Sequence, residues 1–335
     1  MGALSMRTTL VGSYPVPDWL RAHPSERGLE DAMAAHFHRQ ELAGIDLPTD
    51  GELYRFDPDH PETNGMIEYF VRPLEGIRST VTRSDVAAAA TIPHLSFRRR
   101  PAAVVTGEVS EGGLDLVAAY RRSRALCGRP LKFTLTSPYM LARMLLDLHY
   151  RDPARLAAAI AEVLAAQIAE IDAEVVQADE ANLPGNASDW AAAAAAVNPI
   201  LDRVPGRPAV HLCFGNYGGR RIQPGRLADL VPFISALHVD HVVLEVARHG
   251  AAELEPLREL PCTFGIGVID VKDTEAEAPD LVARRIEAAA AALGGPERIG
   301  YVHPDCGFWM LAPAIADAKI ESLVRGRDHF LGAGG

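Results

Sequence analysis

Short apolar runs alternate along this chain with amphipathic, alanine-rich stretches. The runs TTLVGSY (8–14), IDLPTDG (45–51), LKFTLTS (131–137), EVVQAD (174–179), AVHLCF (209–214), HVVLEV (241–246), TFGIGVID (263–270) and IGYVHP (299–304) are bounded by glycine or proline and read as buried strands. Helical patterns lie between them, clearest over residues 153–172, 188–197, 226–237, 279–293 and 312–326. Continuous apolar runs, each followed by an amphipathic stretch, describe parallel strands with crossover helices. Eight such units predict an α/β fold, a (β/α)8 TIM barrel. A doubly wound open sheet is the alternative, but VGSYPVP after the first run is not a G-x-G-x-x-G turn.

Residues 52–130 are too long for one strand–helix unit, so an inserted element is expected between the second and third strands. Within it AAVVTGEV (102–109) reads as an extra strand, with TIPHLSFRR (91–99) as its expected partner. No linker or internal repeat divides the chain, so residues 1–335 are read as a single domain.

Composition narrows the function classes. Forty-four acidic against 33 basic residues give a net charge of −11, and no basic block is present. That argues against nucleic acid and anionic membrane as partners. No apolar run reaches the roughly 18–20 residues needed to span a bilayer. The opening MGALSMRTT lacks the basic start of a secretory signal. Four cysteines (Cys127, Cys213, Cys262, Cys306) in such a chain are expected as reduced thiols in the cytoplasm.

Two of those cysteines carry candidate chemistry. In a barrel, function collects at the C-terminal strand ends. His211 and Cys213 lie two apart at one such end and therefore share a face. Glu245 stands near the end of VVLEV, and Cys306 follows the last strand in YVHPDCGFW. Together they offer one nitrogen, one carboxylate and two sulfurs, a set suited to tetrahedral Zn²⁺. Cys127 and Cys262 have no ligand-like neighbour and are expected in the core.

The motifs VGSYP, DGELYR, MIEYF, TLTSPYML, QADEANL, HLCFGN, LEVAR, GVIDVKD and HPDCG occur in an order that resembles the catalytic domain of cobalamin-independent methionine synthase. The likeness runs from about Arg7 to the C-terminus and is to the shorter, single-barrel, archaeal-type members. It implies a zinc barrel that moves a methyl group onto the thiol of homocysteine. Its ligands would fall on His211, Cys213, Glu245 and Cys306. It further implies that Glu52 and Asp179 meet the amino group of the substrate and that the backbone of Val11, Gly12 and Ser13 meets its carboxylate. Met66 would line the pocket. Asp305 would support the neighbouring cysteine. The chain departs from the family at Lys272, where the long enzymes carry a catalytic histidine, and at His303, where asparagine is usual. It departs again at Phe308 to Leu311, in place of basic residues, and lacks a tryptophan after TSP. The methyl donor is therefore left open between a methyl-folate and a methylcorrinoid, free or on a partner protein. On this reading Glu245, Asp179 and Lys272 are the catalytic candidates.

The donor set favours this chemistry on physical grounds. A free thiol, with a pKa of about 8.5, is mostly protonated and a poor nucleophile at neutral pH. Two thiolates, a carboxylate and a neutral imidazole bring a zinc ion to a formal charge of about −1, which keeps an incoming sulfur electron-rich. Three histidines would suit water activation instead. Two rivals remain: alkyl transfer to another thiol, as in an epoxide:coenzyme M transferase, and a barrel that binds zinc or a thiol without turnover.

Overall fold

The computed structural model describes residues 6–95, 99–216, 220 and 222–332. Its strands are β1 (Arg7–Thr8), β2 (Glu75–Arg78), β3 (Val104–Ser110), β4 (Lys132–Thr136), β5 (Leu146–Asp147), β6 (Val175–Glu180), β7 (Arg207–Leu212), β8 (His241–Leu244), β9 (Thr263–Ile269) and β10 (Ile299–Pro304). Seven form one sheet in the order β1-β10-β9-β8-β7-β6-β4, and every neighbouring pair is parallel. Helices follow most of these strands in the chain, so the sheet curls into a TIM-barrel-like α/β fold.

The run 45–51 does not become a strand. It passes between β1 and β4 with two isolated parallel bridges, Thr9 to Leu47 and Thr49 to Lys132. Pro48 has no N–H to give a ladder. Its carbonyl still accepts from Lys132 N at 2.9 Å. Thr49 is instead held by a side chain: Gln40 Oε1 accepts from Thr49 N at 3.0 Å and Gln40 Nε2 donates to Thr49 O at 2.7 Å.

The extra strand at 102–109 forms as β3, but its expected partner is wrong. β3 pairs antiparallel with β2 and parallel with β5 in a separate three-stranded sheet. Part of the 91–99 segment is a short 3-10 turn at Pro93–Leu95, and residues 96–98 lie outside the described residues. A helix, Arg83–Ala90, capped by the Thr82 and Asp85 side chains, occupies the chain just before it, and the turn continues its curl.

Helix formation follows local chemistry. At Pro153–Ile168, Asp152 accepts from Ala154 N and Arg155 N at 2.9 and 3.3 Å, and proline opens the first turn. Leu156, Ile160 and Leu164 then bury one face. Glu26–Ala43, which the apolar pattern did not single out, is capped by Ser25 and ends at Gly44 in the left-handed region (φ 85°). The main apolar core lies between sheet and helices, with Cys127 in it and Cys262 packed against it. A second cluster that includes Val11, Leu47, Val175, Ala209, Val243 and Tyr301 unites residues from six separate strands and strand-like segments.

Candidate active site

The ends of β7 and β10 bring three ligand atoms together. His211, Cys213 and Cys306 have donor atoms within 4.8 Å of one another, and the two sulfurs are 3.9 Å apart. His211 is buried, with Nδ1 3.2 Å from Val243 O. That contact suits Nδ1–H donating to the carbonyl, which leaves Nε2 as the lone-pair side of the ring. Nε2 is buried and has no hydrogen-bond partner. The hydrogen bond between Cys306 and Cys213, followed by the neighbouring imidazole, holds Cys306 well below the usual thiol range. Cys213 is correspondingly pushed up, first by that bond and then by burial. An imidazole nitrogen facing two free cysteine sulfurs fits a soft divalent cation. Residues 217–219 of the glycine-containing segment that follows lie outside the described residues.

Glu245, just past β8, is fully buried but is not one of these three. Its Oε2 accepts from Phe214 N at 3.0 Å, and its Oε1 is paired with Lys272 and lies 3.4 Å from His249 Nε2. Burial alone would raise the carboxyl, but the His249 contact, the Lys272 cation and the Phe214 N–H hold it at about 2. Its charge acts on both Cys213 and Cys306. Lys272 thus meets Glu245 rather than standing free in the site.

Asp305 braces the centre from behind. Its Oδ1 accepts from Val246 N and Ala247 N at 2.9 and 2.8 Å, which ties the loop after β8 to the end of β10. Phe308 is buried, and its N–H donates to Ser13 O at 2.8 Å. Trp309 is 43% exposed.

The second group of residues adjoins the first through the sheet. Asp179 on β6 is the register partner of His211 on β7. Burial, then the charge of Glu52, push its carboxyl well above the usual carboxylate range. Glu52 sits in the left-handed region (φ 55°), accepts from Thr134 Oγ1 at 2.9 Å and pairs with Arg55 Nη1 at 2.9 Å. Its Oε1 lies where a Cβ on residue 12 would be, 2.2 Å away, so Gly12 is what lets the carboxylate approach the β1 loop. The carbonyls of Val11, Gly12 and Ser13 all accept internal hydrogen bonds, from Gln177, Thr49 and Phe308. Met66 lies beside Arg55, with Sδ 3.4 Å from Nη1.

Arg55, Lys132 and Gln177 are buried in this region and were not singled out from sequence. Gln177 could have been, because it alternates with Asp179 and must share its face. Arg55 follows Glu52 at a spacing of three, the only hint of its pairing.

The model of the cobalamin-independent synthase catalytic domain matches residues 6–326. The chain belongs to the cobalamin-independent methionine synthase family. Within that family it is 27% identical over 334 residues to a methionine synthase of Sulfurisphaera tokodaii, covering 95% of this chain and 90% of that protein. It is 28% identical over 371 residues to a 2-hydroxypropyl-CoM lyase of Xanthobacter autotrophicus, covering 96% and 94%. A B12-independent methionine synthase from Shewanella sp. W3-18-1, solved in complex with selenomethionine, shares the fold over 97% of both chains, with a TM-score of 0.80 and 22% identity. Membership of the cobalamin-independent methionine synthase family makes the chain a methyltransferase-type enzyme. Among the described residues no helix is long and apolar enough to cross a membrane.

Proposed function

We propose that this protein is a zinc-dependent S-methyltransferase that converts homocysteine to methionine in the cytoplasm, with a methyl-folate or methylcorrinoid as donor. The observation that carries the reading is the His211–Cys213–Cys306 cluster, with Asp179 directly opposite His211 on the neighbouring strand. A zinc ion held by His211, Cys213 and Cys306, with Glu245 as fourth ligand, would lower the proton affinity of an incoming thiol so that it reacts as thiolate.

The protein's own groups do the rest. Glu52 and Asp179 pair with the substrate ammonium, and the N–H groups of Val11, Gly12 and Ser13 receive its carboxylate. An arriving ammonium relieves the like-charge strain between the two carboxylates and favours the ionised Asp179. Lys272 holds Glu245 ionised, so that Glu245 can turn toward the centre without first losing a proton. The substrate sulfur gives its electron pair to the methyl carbon, and the bond from that carbon to the donor breaks with its pair leaving on the donor. On the same reading residues 1–335 form one barrel domain, with 52–130 carrying an insertion that supplies β2 and β3.

The test is metal analysis with a thiol assay. Purified protein is expected to hold about one zinc per chain, and Cys306→Ser to lose most of the metal and the methyl transfer to homocysteine together. A Cys306→Ser protein that keeps zinc and full activity overturns the proposal.

A second reading, alkylation of a thiol that has no amino group, draws on the 2-hydroxypropyl-CoM lyase relative. Glu52 and Asp179 weigh against it, since they would have no ammonium to meet. An acceptor screen in which only thiols lacking an amino group react would favour it.

A further inference from the structure

Lys132 on β4 is fully buried, yet among the described residues no carboxylate lies within ion-pair distance of it. Its Nζ donates to Gln177 Oε1 at 3.0 Å. Its charge acts on His211, His241 and His303, and on Asp179 and Glu52. Burial pulls the Lys132 amine down to about 7, so a lysine here, with a neutral amide as its hydrogen-bonding partner, is costly to keep and needs a reason.

The reason lies in the other end of the amide. Gln177 Nε2 donates to Asp179 Oδ1 at 2.7 Å and to Val11 O at 2.9 Å. A glutamine amide has nearly the same shape either way round, and only its partners fix its orientation. Lys132 Nζ donates to Oε1 while Nε2 faces two acceptors, so the amide is held at both ends. Both amide hydrogens are then committed to acceptors, one on Asp179 and one on the β1 loop. With an apolar residue at 132, Oε1 loses its buried donor, and the amide that ties Asp179 to Val11 is left anchored at one end only.

We infer that Lys132 is a positioning residue for the amino-acid end of the thiol substrate, acting through Gln177 to fix the Asp179 carboxylate and the Val11 turn as one unit. The inference rests on the proposed roles of Asp179 and of residues 11–13. It gives a buried lysine and a buried amide, otherwise outside the chemistry, a share in substrate selection.

Calorimetric binding of homocysteine and of 1-propanethiol to the zinc-loaded protein tests it. Wild type is expected to bind homocysteine much more tightly; equal binding sinks the amino-acid reading itself, and this inference with it. Where wild type discriminates, Lys132→Met is expected to weaken homocysteine binding about tenfold or more while leaving propanethiol within about twofold. Gln177→Glu is expected to do the same, because it keeps an acceptor for Lys132 but removes the donor to Asp179; it decides the matter alone if Lys132→Met does not fold. Variants that bind homocysteine as wild type does, or that lose both thiols equally, overturn the inference.

Discussion

Asp50 shows how a single residue reports on the surroundings of this site. It sits two residues before Glu52, accepting from Glu52 N and from Ser123 Oγ, each at 2.8 Å. Burial pushes its carboxyl up to about 6. A carboxyl raised in the folded state binds its proton more tightly there than in the unfolded chain. Its stabilising effect is therefore complete below the ordinary carboxylate range and lost as pH rises through about 6. Asp50→Asn is neutral at every pH. Relative to wild type it is expected to gain about 2 kcal/mol between about pH 4 and pH 7, read from urea unfolding at both. A difference that stays flat with pH removes the argument.

At the level of elements, helix packing outweighs intrinsic preference. Helix Pro313–Phe330 lies against helix Pro279–Leu293, and a Cβ at Gly326 would stand 2.4 Å from Val282 Cβ. Alanine favours an isolated helix over glycine by about 1 kcal/mol. Here Gly326→Ala is expected to destabilise by about 1–3 kcal/mol in thermal or urea unfolding, because the two backbones must part. A stabilised variant would mean that the contact yields easily. The same contest explains what the sequence pattern conveyed and what it missed. Buried parallel strands are apolar on both faces, so β4 and β6 to β10 were legible as runs. The strand-like run at 45–51 was misleading, since its pairing is cut by Pro48 and taken over by the Gln40 side chain, a contact made from a helix of low amphipathic contrast. The partner of β3 was illegible because β2 and β5 are four and two residues long, too short for a periodic signal. Within the site, His211, Cys213 and Cys306 could be found from strand-end placement, whereas the engagement of Glu245 by Lys272 depends on a meeting of distant loops.

At the scale of the whole molecule, the sheet depends on an unusual seam between β1 and β4. Gln40 there supplies both hydrogen bonds to the buried backbone of Thr49. Gln40→Met would leave a donor and an acceptor without partners, at an expected cost of about 2–4 kcal/mol in unfolding free energy. A loss under about 1 kcal/mol would mean that the seam carries little of the fold. On the opposite side of β1 from that seam, the chain beyond β10 returns to the Val11–Ser13 turn. There Phe308 hands its N–H to Ser13, and a side chain at Gly307 would strike Ser13 Oγ at 1.9 Å. The segment that presents Cys306 and the Val11–Ser13 turn, the proposed cradle for the substrate carboxylate, are in this way stitched to each other. A descendant that enlarges position 307 must also rework position 13, so on the proposed reading changes at the sulfur end and at the carboxylate end of the site should be inherited as a pair.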